Sequence, residues 1–82
     1  MILYFEFEER RLKAEMTWPK NRGTVTVHVT DTQLANELPP DLLFDIAPEN
    51  KVTYTIENPN DKRLIELQRV ISRRLQELVN KS

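Results

Sequence analysis

MILYFEFEERRLKAEMTW, residues 1–18, is the stretch on which the fold turns, because it reads either as two strands or as a strand followed by a helix. Leu3, Phe5 and Phe7 alternate with Tyr4, Glu6 and Glu8, the period of two expected of a half-buried strand. The apolar set then changes parity to Leu12, Ala14, Met16 and Trp18. A tight hairpin with Glu9-Arg10 at its tip accounts for the change. It pairs Phe7 with Leu12, Phe5 with Ala14 and Leu3 with Met16 on one face. On the other face it sets Glu6 opposite Lys13, and at the neck Glu8 opposite Arg11. Each of these opposite-charge pairs contributes roughly a few tenths of a kcal/mol. The competing helix over residues 8–16 draws on good helix formers throughout. The Glu-Arg tip also lacks the glycine or asparagine that such turns favour. Agreement among the pairings decides for the hairpin.

Downstream, Trp18-Pro19-Lys20-Asn21-Arg22-Gly23 is a turn that holds the only glycine of the chain. Thr24 to Val29 follows as the clearest strand, with Val25, Val27 and Val29 on one face and Thr24, Thr26 and His28 on the other. Thr30-Asp31-Thr32-Gln33 has the spacing of a capping box and opens a short helix through Leu34, Ala35 and Leu38 that stops before Pro39-Pro40. Leu42, Phe44 and Ile46 alternate as a further short strand, and Ala47-Pro48-Glu49-Asn50 reads as a turn. Lys51 to Glu57 is expected to be a strand, with Val52, Tyr54 and Ile56 inward.

Asn58 is the expected N-cap of the last element, with Pro59 at its first position and Asp61 in its first turn. From there to about Asn80 nothing breaks a helix, a rod of roughly 30 Å. Leu64, Leu67, Ile71, Leu75 and Leu78 form one stripe, broadened by Val79, Ile65 and Val70. A stripe that wide is suited to lie against a sheet. The sequence therefore predicts an α+β fold, a mainly antiparallel sheet of four to five strands. A long C-terminal helix and a short middle helix pack on one face, in the order β-β-β-α-(β)-β-α, as a single domain over residues 1–82.

The 82 residues are 39% hydrophobic and 30% charged, ordinary for a soluble globular domain and too apolar for disorder. Cysteine is absent, which excludes disulfides and thiolate metal sites and fits a reducing compartment. Glu6 interrupts the opening apolar run after five residues, too early for a signal peptide or a membrane span. The reading is of a cytoplasmic protein with no membrane association. The net charge of −1 is unevenly spread: +1 over residues 1–30, −5 over residues 31–60 and +3 over residues 61–82.

The inventory for catalysis is thin. His28 is the single histidine, and Ser72 and Ser82 do not sit on a strand-to-helix elbow. Gly23 alone makes no phosphate-binding loop. His28 among threonines reads as a polar residue on a solvated sheet face. Asp41, Asp45 and Glu49 recur every four residues, but the alternation around them and Pro48 argue against a helix, and no calcium-loop pattern is present. The sequence thus predicts no enzyme, no metal and no cofactor.

What remains is interaction. Lys62, Arg69 and Arg73 cluster opposite the apolar stripe of the last helix, and Arg63, Arg74 and Lys81 line one flank, with Glu66 and Glu77 between. Trp18 reads either as an exposed anchor or as a lid on the core's edge. The threonine-rich outer surface around Thr24, Thr26, Thr53 and Thr55 suggests a lightly protected sheet edge, unless the glutamates of the first strand guard it. No motif is specific enough to indicate a family. The expected function is a small regulatory, adaptor or assembly module. It would bind a protein partner or itself through a sheet edge or the polar helix face, with Lys62, Arg69, Arg73 and Trp18 as contact residues. Nucleic-acid binding through the basic helix is the alternative.

Overall fold

The computed structural model describes residues 1–17 and 23–81. It contains β1 (Ile2–Phe7), β2 (Arg10–Thr17), β3 (Thr24–Val29), α1 (Thr32–Glu37), β4 (Asp41–Ile46), β5 (Val52–Thr53) and α2 (Lys62–Lys81). The five strands form one antiparallel sheet in the order β1-β2-β3-β4-β5, so each strand lies beside its sequence neighbours. This is the α+β arrangement expected, with α1 inserted between β3 and β4. The predicted turn at Trp18–Gly23 falls almost wholly outside the described residues.

Alternation sets the faces. Leu3, Phe5, Phe7, Leu12, Ala14, Met16, Val25, Val27, Val29, Leu42, Phe44 and Ile46 are buried, while their neighbours in sequence face solvent. The buried set joins Leu34 and Leu38 around α1 and Leu67, Ile71, Leu75 and Val79 of α2 in one core cluster. The tyrosine ring of Tyr54 meets Phe44 edge-on, at 5.7 Å between centroids. α2 touches both edge strands, β1 and β5, so the sheet curls around it.

The hairpin forms, but in a different register. Phe5 faces Leu12, Leu3 faces Ala14, Glu6 faces Arg11 and Phe7 faces Arg10. The tip is therefore Glu8-Glu9 rather than Glu9-Arg10, and the expected Glu6–Lys13 and Glu8–Arg11 pairs do not occur. A slip of two residues leaves every side chain on its own face, so the hydrophobic pattern cannot distinguish the two registers. Contacts at the tip separate them. Glu8 reaches Arg63 of α2, and Arg10 reaches Asp31 and Gln33 at the start of α1. Glu8 and Glu9 both have positive φ, 51° and 64°, as a two-residue hairpin turn of this hand requires.

Three further boundaries moved. The N-cap of α1 is Asp31, whose carboxylate accepts from the Leu34 N–H, because the Thr30 hydroxyl is instead donated to the Lys13 carbonyl of β2. The N-cap of α2 is Asp61, accepting from the Leu64 N–H, because the Asn58 side chain is occupied in a local turn with the Asn60 N–H. β5 ends after Thr53; Tyr54 is half-buried, while Ile56 is exposed and does not point inward as expected. Glu9 holds a left-handed conformation that costs a side-chain-bearing residue about 1 kcal/mol. Glu9→Gly should therefore raise stability by about 0.5–1 kcal/mol, read as a higher urea midpoint at unchanged slope.

Candidate functional site

The helix residues expected to bind a partner lie where the periodicity put them. Lys62, Arg69 and Arg73 are exposed on the solvent side of α2. Of the three, Arg69 donates to Glu66 one turn earlier at 2.8 Å. On the flank, Arg74 pairs with Glu77, and Arg63 grips both oxygens of Glu8 at 2.6 and 2.9 Å and also reaches Glu37. Arg63 thus ties the hairpin tip and the end of α1 to the start of α2. Trp18 lies outside the described residues.

The outer face of the sheet is uncovered. His28 and Asp41 stand directly opposite one another and share a hydrogen bond of 2.6 Å from Nδ1, and Glu15 faces His28 from β2. Thr24 donates to Asp45 at 2.9 Å. Asp41 and Asp45 therefore share a face of β4 and have partners there, whereas Glu49 lies in the following turn. No set of three or more metal-ligating side chains comes together among the described residues. No helix among them is long and apolar enough to cross a membrane.

The sheet edges differ sharply. Thr24 and Thr26 belong to β3, an interior strand, so that part of the threonine surface is a face rather than an edge; Thr53 lies in the terminal strand β5 and Thr55 just beyond it. At the β5 side, the helix amides take over the backbone. Gln76 accepts from the Val52 N–H at 2.9 Å and donates to the Asn50 carbonyl at 2.7 Å, and Gln68 donates to the Thr55 carbonyl. Beyond Thr53 the chain leaves β4, and the gap is a slot of about 340 Å³ hemmed by Asp41, Leu43, Asp45, Thr55, Glu57 and Gln68. That slot is acidic and walled by the helix.

The β1 side is open. Met1 and Met16 exchange both backbone bonds, N–H to carbonyl in each direction. Mutually bonded pairs recur at every second residue of an antiparallel ladder. Met1, Leu3, Phe5 and Phe7 therefore turn their backbone groups toward β2, and Ile2, Tyr4 and Glu6 turn theirs outward. Of these outward groups the Tyr4 carbonyl accepts from Arg74 Nε at 2.9 Å. Three of the five large exposed apolar side chains among the described residues are here: Met1, Ile2 and Tyr4, the last two 44% and 49% exposed. The Arg11 guanidinium lies over the Tyr4 ring at 5.6 Å, and Glu6 stands opposite Arg11. Tyr4, Phe5, Glu6, Arg11 and Arg74 line a shallow groove of about 300 Å³ along this rim. Sequence reasoning named the first strand only for its protective glutamates. The signal it lacked was the phase of the ladder: a two-residue tip at Glu9-Arg10 makes Glu8 and Arg11 the mutually bonded pair and turns Ile2, Tyr4 and Glu6 toward β2, whereas the observed tip at Glu8-Glu9 turns them outward.

No protein-family model matches the chain, and no curated protein and no solved structure matches it.

Two expectations follow from these contacts. Gln76→Ala leaves the Asn50 carbonyl and the Val52 N–H without their partner, at a cost of about 1–3 kcal/mol, and hydrogen exchange at Val52 should accelerate ahead of the core. The hydrogen bond from Arg63 holds the Glu8 carboxyl below its ordinary value of 4.5. The Leu34 N–H, then Arg10, lowers Asp31 from 3.8, and Arg69 lowers Glu66. Carboxyls depressed in the folded state contribute stability that is present above their unfolded values and lost as pH falls through the folded ones. The melting temperature should thus fall on acidification below about pH 4.5, and Glu8→Gln should shrink that fall.

Proposed function

We propose that the chain is a non-enzymatic interaction module that engages an extended segment of a protein partner along the open edge of β1. The observation that carries this reading is the outward set of backbone groups on Ile2, Tyr4 and Glu6, beside a rim of exposed Met1, Ile2 and Tyr4. An added strand would take its affinity from main-chain hydrogen bonds and its selectivity from side chains meeting Tyr4, Arg11 and Arg74. Native proteins blunt long edges, and here Glu6 is the one charged residue of β1, set opposite Arg11. The cysteine-free composition fits work in a reducing cytoplasm.

Nucleic-acid binding along Lys62, Arg69 and Arg73 has weaker support. Arg69 is engaged by Glu66, Arg63 and Arg74 are engaged by other carboxylates, and the chain carries a net charge of −1. The two readings part on one experiment: selection of binders from a displayed library of random extended peptides. Selected peptides should slow amide exchange at Ile2, Tyr4 and Glu6. Their binding should be lost with Tyr4→Pro, which removes an outward N–H without touching the β1–β2 ladder. It should survive Arg69→Glu with Arg73→Glu. Binders that depend on the arginines and ignore Tyr4→Pro would return the function to the helix.

A further inference from the structure

We infer that β1 is its own partner: two copies of the chain join edge to edge, β1 antiparallel to β1, about a two-fold axis at Tyr4, into one continuous sheet. The inference rests on the reading of β1 as an interaction edge and adds the identity of the strand that occupies it.

The outward residues Ile2, Tyr4 and Glu6 are spaced symmetrically about Tyr4. An antiparallel copy centred there sets Ile2 against Glu6 of the second copy, Tyr4 against its own equivalent, and Glu6 against Ile2. Each of these pairs exchanges an N–H and a carbonyl in both directions, so every outward group of the strand is satisfied at once. Moving the copy by two residues either way leaves an outward residue of each strand unpaired. A shift that brought Glu6 onto Glu6 would oppose like charges, which this register avoids. The Tyr4 carbonyl keeps a second lone pair, so its bond to Arg74 and the inter-copy bond are compatible.

Side chains agree with the backbone. On the outer face the two Tyr4 rings become direct cross-strand neighbours, each already backed by an Arg11 guanidinium. On the helix side, Arg74 reaches Tyr4 and pairs with Glu77. A two-fold at Tyr4 brings the two Arg74 guanidiniums to either side of the axis, each with its charge already offset by its own Glu77. An interface built from one patch facing itself is isologous and closes at two copies, which leaves no open edge at β1 to propagate.

Residue 4 is the position that meets itself, and this makes the register testable in the intact chain. Sedimentation should show a dimer for the native protein. Tyr4→Lys and Tyr4→Glu, each alone, should dissociate it roughly fivefold to tenfold more readily at low salt, since like charges then face each other on the axis. Mixing the two variants should restore a one-to-one heterodimer, which also shows that both are folded. Amides of Ile2, Tyr4 and Glu6 should exchange slowly in the dimer and quickly on dilution. A dimer indifferent to both substitutions would overturn self-pairing and the β1 edge together. A chain that stays monomeric at high concentration, with no complex in the mixture, would overturn self-pairing alone, provided that selected peptides still protect those three amides.

Discussion

The burial of α2 in the hollow of the sheet is the constraint on which everything else rests. Its apolar stripe, Leu67, Ile71, Leu75 and Val79, is closed off from solvent against strands whose inward side chains alternate along the whole sheet. Dispersion and apolar burial of this kind supply most of the stability of so small a chain. A twenty-residue helix lying in a curled five-stranded sheet necessarily brings its flanks to both rims. What those flanks carry therefore determines how each rim is finished.

One flank carries glutamines and the other carries arginines. Gln68 and Gln76 are long, uncharged and able to donate and accept at once, and they replace the missing neighbour of the short β5 segment. Arg63 and Arg74 donate only. Arg74 can satisfy a carbonyl of β1 but none of its N–H groups, and Arg63 is drawn to Glu8 and Glu37 at the hairpin tip. The difference between the β5 rim, where glutamines take up backbone groups at Asn50, Val52 and Thr55, and the β1 rim follows from that chemistry. Among the cations counted from the sequence, Arg63 faces carboxylates of two distant elements, Glu8 and Glu37, while Arg69 and Arg74 face Glu66 and Glu77 of their own helix.

Much of the architecture is legible in the linear pattern. The alternation in Val25–Val29 and Leu42–Ile46, the parity change between Phe7 and Leu12 and the wide stripe of α2 lead to the observed elements and their order. Finer features were not. Thr30 and Asn58 are good N-caps by type, yet each side chain found another hydrogen bond, and the neighbouring Asp31 and Asp61 took the role. β5 has the composition of a long strand but pairs only at Val52 and Thr53, because the helix amides draw the following backbone away from β4. At the candidate site, the exposure of Tyr4 was readable from alternation, whereas its place on an outer edge was not.

Which residues face the core and which face water is set by the linear pattern in every regular element, and fails only beyond the end of β5, at Ile56. That choice depends on the local period of apolar side chains, and burying them outweighs any alternative for each element. The hairpin register, the helix starts and the finish of the two rims depend instead on contacts between elements. A slip of two residues, or a cap moved by one or three, changes no residue's face and little buried area. Such choices are settled by single hydrogen bonds and ion pairs between elements far apart in the chain, such as Glu8 with Arg63 and Gln76 with Val52.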